Sequence, residues 1–165
     1  MIKTADISSC GNYRYSLRLL RNPSLPTVAF IGLNPSTADD KIDDPTIRRC
    51  INYAKDWGCG ELIMVNLFAY RATDPKVMKA QDSAAVGEHN LVYLDKAVQK
   101  ASMTVAAWGS GCPRLHTELY IMADYGPRLH ALKLNRNLSP AHPLNQRKDI
   151  KPRPFLELMA EAKTA

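Results

Sequence analysis

The sequence predicts an α/β fold: a three-layer sandwich with a mostly parallel four-stranded central sheet, plus one N-terminal antiparallel strand. Three observations point to it. Short continuous apolar runs, each consistent with a strand buried on both faces, alternate with segments of helical periodicity. Each run stops at a polar turn built from Gly, Asn, Ser and Pro. Near the N-terminus, Tyr13-Arg14-Tyr15-Ser16-Leu17-Arg18-Leu19 instead alternates apolar and polar, the period of a half-exposed strand. At 165 residues the chain fits a single domain, 1–165, with a core of its own.

The elements follow in order. Asn22-Pro23-Ser24-Leu25-Pro26 closes the alternating strand. Val28-Ala29-Phe30-Ile31 is the first buried strand and runs into Gly32-Leu33-Asn34-Pro35-Ser36. Gly32 admits a close approach there, and Pro35 fixes the chain's exit. After the acidic loop Asp39-Asp40-Lys41-Ile42-Asp43-Asp44, a helix starts with Asp44 as N-cap and Pro45 at its first position. Ile47, Cys50, Ile51, Ala54 and Trp57 share its apolar face, and Gly58 ends it. Glu61-Leu62-Ile63-Met64-Val65-Asn66-Leu67-Phe68 is the second buried strand. A helix over 88–101 turns Leu91, Leu94, Ala97 or Val98, and Ala101 inward. Met103-Thr104-Val105-Ala106-Ala107-Trp108 is the third strand, ended by Gly109-Ser110-Gly111. A helix over 113–125 carries Leu115, Leu119 and Met122 and closes at Gly126-Pro127. His130-Ala131-Leu132-Lys133-Leu134 is the fourth strand, its lysine marking an edge. A last helix over 154–162 sets Phe155, Leu158, Met159 and Ala162 on one face.

The carboxyl ends of parallel strands share one edge of the sheet. Asn34, Asn66, Ser110, Ser139 and His142 therefore fall along a single expected cleft, where open α/β sheets place their ligands. The net charge of +6 suits a polyanionic partner. Arg147, Lys148, Lys151 and Arg153 crowd the segment after His142, which reads either as a phosphate-contacting loop or as a solvated tail. No apolar run is long enough to span a bilayer, and 1–6 lacks the apolar segment of a secretory signal, so a soluble, cytoplasmic protein is expected. Cys10, Cys50, Cys59 and Cys112 are scattered, and His89, His116, His130 and His142 show no ligand spacing. No metal and no cofactor is predicted. For the acidic loop, a solvated turn ending in an N-cap is favoured over a Mg²⁺ site.

The four strand-end turns, in order, resemble those of the uracil-DNA glycosylase superfamily. Gly32-Leu33-Asn34-Pro35 is similar to its Gly-Ile-Asn-Pro-Gly motif, with Ser36 in place of the last glycine. Met64-Val65-Asn66-Leu67 is similar to Leu-Leu-Asn-Thr, and Ala107-Trp108-Gly109-Ser110 to Leu-Trp-Gly-x-x-Ala. His142-Pro143-Leu144-Asn145 is the counterpart of His-Pro-Ser-Pro. Its Ser-Pro half is either lost or moved ahead as Ser139-Pro140. The clustered cysteines of the iron–sulfur branch are missing. Segments 31–40, 62–73 and 106–109 also resemble a bacterial and phage family, the domain of unknown function 1643.

The resemblance implies an enzyme that hydrolyses the N-glycosidic bond of a damaged, mismatched or modified pyrimidine flipped out of DNA. Asn34 then holds a water near the anomeric carbon, and His142 with nearby amides stabilises the departing base. As a neutral amide, Asn34 implies slower catalysis than a carboxylate. Asn66, both donor and acceptor, reads the base edge. Gly32, Pro35, Ser36, Ser110 and Ser139 complete the substrate-binding rim. Tyr13, Tyr15, Phe68 or Tyr70 stacks on the base, and Arg71, Arg147, Lys148 and Lys151 contact phosphates. Two alternatives stay open: a hydrolase or sensor of a free modified nucleoside or nucleotide, and a non-catalytic nucleic-acid-binding module.

Overall fold

Apolar runs at alternating parity build one sheet with two covered faces. The computed structural model describes residues 1–112, the backbone of 116–119 and all of 120–165. Seven strands form the sheet: β1 (Ile2–Ile7), β2 (Arg14–Leu20), β3 (Thr27–Gly32), β4 (Glu61–Asn66), β5 (Met103–Ala106), β6 (Leu129–Ala131) and β7 (Arg153–Pro154). Their spatial order is β1-β2-β4-β3-β5-β6-β7. Neighbours within β4-β3-β5-β6 pair in parallel, whereas β1, β2 and β7 add antiparallel edges.

The α/β class holds, and the expected strand count and orientations do not. The expected half-exposed strand is β2, and it is interior: β1 pairs outside it, so Tyr15, Ser16 and Leu17 are buried. β6 is not the edge, because β7 pairs beyond it through a two-residue ladder whose proline tolerates only an edge position. Lys133 falls after β6 rather than within it.

The helices among the described residues are α1 (Pro45–Asp56), α2 (Pro75–Lys79), α3 (Asn90–Lys100), α4 (His116–Tyr125) and α5 (Phe155–Thr164). Asp44 caps α1, its side chain accepting from Ile47 N at 2.8 Å, and Pro45 occupies the first turn. Ile47, Cys50, Tyr53 and Ala54 pack against Val28, Phe30, Leu62 and Met64 on one face of the sheet. Residues of opposite parity, Ala29, Ile31, Ile63 and Val65, face Leu94, Ala97 and Val98 of α3 and Phe155 of α5. The expected inward Leu91 is 37% exposed. Its inner place is taken by Asn90. Ala162 is also exposed. The expected start of the 113–125 helix and the inward turn of Leu115 and Leu119 lie outside the described residues.

The connections locate the site. The chain leaves β3, covers one face with α1 and returns as β4; it then covers the opposite face with α3 and returns as β5 on the far side of β3. Strand order therefore reverses at β3, and the crevice beyond the carboxyl ends of β3 and β5 is where an open α/β sheet takes a ligand.

Candidate active site at the strand-order reversal

A cavity of about 410 Å³ opens at that crevice. Its walls come from the loop after β3, the first turn of α1, the ends of β4 and β5, Arg14 of β2, and His142. Of the residues the strand-end reading expects, Asn34, Asn66, Ser110 and His142 are there and Ser139 is not; Gly32, Pro35 and Ser36 line it as well.

Asn34 is fixed by its own amide. Nδ2 donates to Ala72 O at 2.8 Å, Pro35 O at 3.2 Å and Tyr70 O at 3.5 Å. Three carbonyls around one end of the amide identify that end as the nitrogen. Oδ1 takes no partner among the described residues, and a free acceptor on a cavity wall can hold a water. Ser36 Oγ donates to Thr73 Oγ1 at 3.2 Å, a second tie between the loops after β3 and β4.

Asn66 ends β4 and is 1% exposed, yet its Nδ2 is buried with no hydrogen-bond partner among the described residues. An unmet buried donor costs about 1–3 kcal/mol, so a cavity ligand bearing an acceptor is favoured there. Asn90 of α3 holds the backbone beneath it. Asn90 Nδ2 donates to Asn66 O at 2.9 Å and Leu67 O at 3.0 Å. Gly32 makes room for Asn66, since a Cβ on Gly32 would sit 2.6 Å from Asn66 Oδ1 and 2.7 Å from Met64 Cε.

His142 caps a short 3-10 turn, Pro143–Asn145, and Nδ1 accepts from Leu144 N at 3.3 Å. The neutral ring therefore carries its proton on Nε2, which is left as a donor. Burial pushes its pKa below the ordinary value of 6.5, with Asp44 opposing in part. The ring is neutral at pH 7. Gly109, held at φ +77, sends its N–H to Pro140 O at 3.0 Å and so sets the 137–142 loop beside the end of β5.

Other expected residues lie elsewhere. Phe68 is 0% exposed in the core, because the chain turns back under Asn90 after β4, so it cannot stack on a ligand. Tyr13 and Tyr15 stack on each other and line a separate pocket, and Tyr70 meets Tyr13 edge-on. The aromatic residue at the cavity is Trp108, 2% exposed. Ser139 faces a different pocket, its Oγ donating to Asn137 Oδ1 at 2.6 Å. Arg71 donates to Gly11 O at 3.2 Å and does not line the cavity. Arg147 pairs with Asp149 at 2.7 Å, while Lys148 and Lys151 are exposed. Their segment lies along α1, where Tyr53 Oη donates to Arg147 O at 2.7 Å and Trp57 Nε1 to Ile150 O at 3.2 Å.

Among the described residues no three His, Cys, Asp or Glu gather as metal ligands. Asp43 pairs with Lys3 at 2.6 Å, and Asp39 folds over its own loop, accepting from Lys41 N and Ile42 N. These backbone donors hold the Asp39 carboxyl below its usual range.

Sequence reasoning missed Arg14. It is 2% exposed and lines the cavity. An arginine in an alternating strand reads as solvated; its burial follows from β1 pairing outside β2 and from the loop after β3, whose Ala38 O accepts from Nη1 at 2.5 Å. Desolvation lowers its pKa to about 10, Asp44 opposing and Arg71 assisting, which leaves it charged at neutral pH.

The fold and cavity define a class: an α/β protein with a polar ligand cleft at the strand-order reversal. A model of the family described as "Protein of unknown function (DUF1643)" matches residues 14–144. The chain belongs to that family. No curated protein and no solved structure matches it. Among the described residues no helix is long and apolar enough to cross a membrane.

Proposed function

We propose that the protein is a DNA glycosylase-like enzyme, with a uracil-DNA glycosylase-like fold, that hydrolyses the N-glycosidic bond of a damaged, mismatched or modified pyrimidine flipped out of DNA. The observation that carries the reading is the meeting of Asn34, Asn66 and His142 on one cavity from three separate stretches of chain. In this reading the C1′–N bond breaks, positive charge develops on the sugar, and the base departs with the bonding pair. Asn34 Oδ1 orients the water whose oxygen joins C1′, and the water's proton ends on solvent or the departing base. Asn66 Nδ2 donates to a base carbonyl. His142 Nε2–H donates to the oxygen where charge accumulates, and as a neutral group it does so without binding the substrate's ground-state charge.

A second reading keeps the cavity and changes the ligand to a free modified nucleoside or nucleotide. It is favoured by the placement of the basic residues: none of Arg71, Arg147, Lys148 or Lys151 lines the cavity, and the charge of Arg147 is met by Asp149.

The test is release of free base from oligonucleotides carrying uracil, hydroxymethylated or glycosylated pyrimidines, or their mismatches with guanine. Release is expected from at least one of them. Asn34→Ala is expected to slow it by about 10²- to 10³-fold with DNA affinity retained. No release from any of these substrates sinks the reading.

A further inference from the structure

One charge in the cavity has no use in the proposed hydrolysis. Arg14 is buried, and among the described residues its guanidinium finds one partner, Ala38 O, which accepts from Nη1. Its Nε is buried with none. Among the described residues no carboxylate stands within ion-pair distance of it. The two carboxylates that act on it through space are turned to backbone instead. Asp44 Oδ1 accepts from Ile47 N at 2.8 Å, and Asp39 Oδ1 from Lys41 N at 2.8 Å and Ile42 N at 2.9 Å. Arg71 repels it and has its own buried, unpartnered Nε. A buried cation lacking a counter-ion is strongly unfavourable, and such charges are ordinarily paired. Asn66 Nδ2, on the same cavity, is a second buried donor without an acceptor. The cavity thus holds two buried donors without acceptors among the described residues, one on a full positive charge, although the Asp44 carboxylate and Asn34 Oδ1 also line it.

We propose that Arg14 is the anion-binding residue of this cleft, taking a phosphate group of a nucleotide ligand through its guanidinium fork. The planar fork matches two oxygens of a phosphate at once. The choice of phosphate rests on the nucleotide reading above, whereas the need for an anion rests on Arg14 itself. The same chemistry is offered by a phosphodiester flanking an everted residue and by the phosphomonoester of a free nucleotide.

The experiment is thermal melting and calorimetric titration of the full chain with inorganic phosphate, uridine, uridine 5′-monophosphate and a short uracil-containing oligonucleotide. Near saturation the monophosphate is expected to raise Tm by about 5 °C or more, and uridine to raise it far less. Arg14→Met is expected to weaken monophosphate binding about a hundred-fold, with Arg14→Lys between the two. Arg14→Met is also expected to keep or raise the unliganded Tm, because it removes an uncompensated buried charge. Equal affinity for uridine and its monophosphate, unchanged binding by Arg14→Met, or a wild-type Tm deaf to every anion overturns the proposal. If Arg14→Met does not fold, the wild-type anion response decides. Tighter binding of the oligonucleotide than of the monophosphate assigns the phosphate to DNA, and the reverse order assigns it to a free nucleotide. An anion response without base release from DNA sinks the glycosylase reading and leaves this one standing.

Discussion

Single residues at this site are set by what they donate to. His142 can cap its turn only while Nδ1 is unprotonated, and burial holds it so. Its native pKa is depressed below 6.5 while the unfolded chain titrates near that value. Its contribution to stability is therefore complete above pH 6.5 and is lost as pH falls through the native value. Melting curves from pH 7.5 to 5 should show the wild type losing Tm across this window, with His142→Gln losing less; parallel curves would remove the assignment. Arg14 illustrates the limit of residue-level reading. Nothing in Tyr13-Arg14-Tyr15 marks the arginine as buried, because its burial depends on pairing with β1 and on the 38 carbonyl, which lies beyond the whole of β3. Asn34, Asn66 and His142 were legible because each lies where a strand or its loop leaves the sheet.

At the scale of elements, a single side chain ties α3 to β4. Asn90 enters α3 on its inner face and reaches the carbonyls of Asn66 and Leu67. Asn90→Ala leaves both carbonyls buried without that donor, and urea denaturation should register a loss of about 1–3 kcal/mol. The strands buried on both faces, β3, β4 and β5, were legible from their apolar runs. β1 was not, since its residues alternate weakly and mostly face solvent, and β7 was not, since two residues carry no periodicity. The five-residue α2 is likewise too short for a helical period, and only its Asp74 cap and Pro75 mark it. Phe68 was misplaced because a continuous apolar run does not reveal where the strand stops. β4 ends at Asn66, and the next two residues drop into the core through Leu67 N to Gly32 O and Phe68 N to Leu33 O, both 2.9 Å.

For the whole molecule, the net charge of +6 is spread rather than gathered at the cavity mouth. Glu61 alone, buried near the opposite edge, engages both Arg18 and Lys100. Arg153 is engaged by Glu161. If DNA is the ligand, Lys148 and Lys151 are exposed cations of the segment after His142 that, unlike Arg147, have no ion-pair partner among the described residues. Affinity for a duplex should then fall with salt, and the double variant Lys148→Ala/Lys151→Ala should reduce the logarithmic salt slope by about 2. An unchanged slope would move the nucleic-acid face away from this segment. The α/β class was legible from alternation of strands and helices, and β2 from its period of two; its placement between β1 and β4 was not, because β4 is distant in the chain.

The clasp around the Asn34 nitrogen has a chemical corollary. Aspartate differs from asparagine there only by exchanging that nitrogen for oxygen, and the oxygen would confront the carbonyls of Pro35, Tyr70 and Ala72. A carboxylate could lodge in this nook only by taking up a proton or by prising the two loops apart. The scaffold therefore bars a carboxylate, the ionised form that the proposed hydrolysis would favour, through main-chain oxygens that no side-chain exchange can remove. If the proposed hydrolysis is the activity, a quicker version of it on this framework would need a differently routed loop before it needed a different residue.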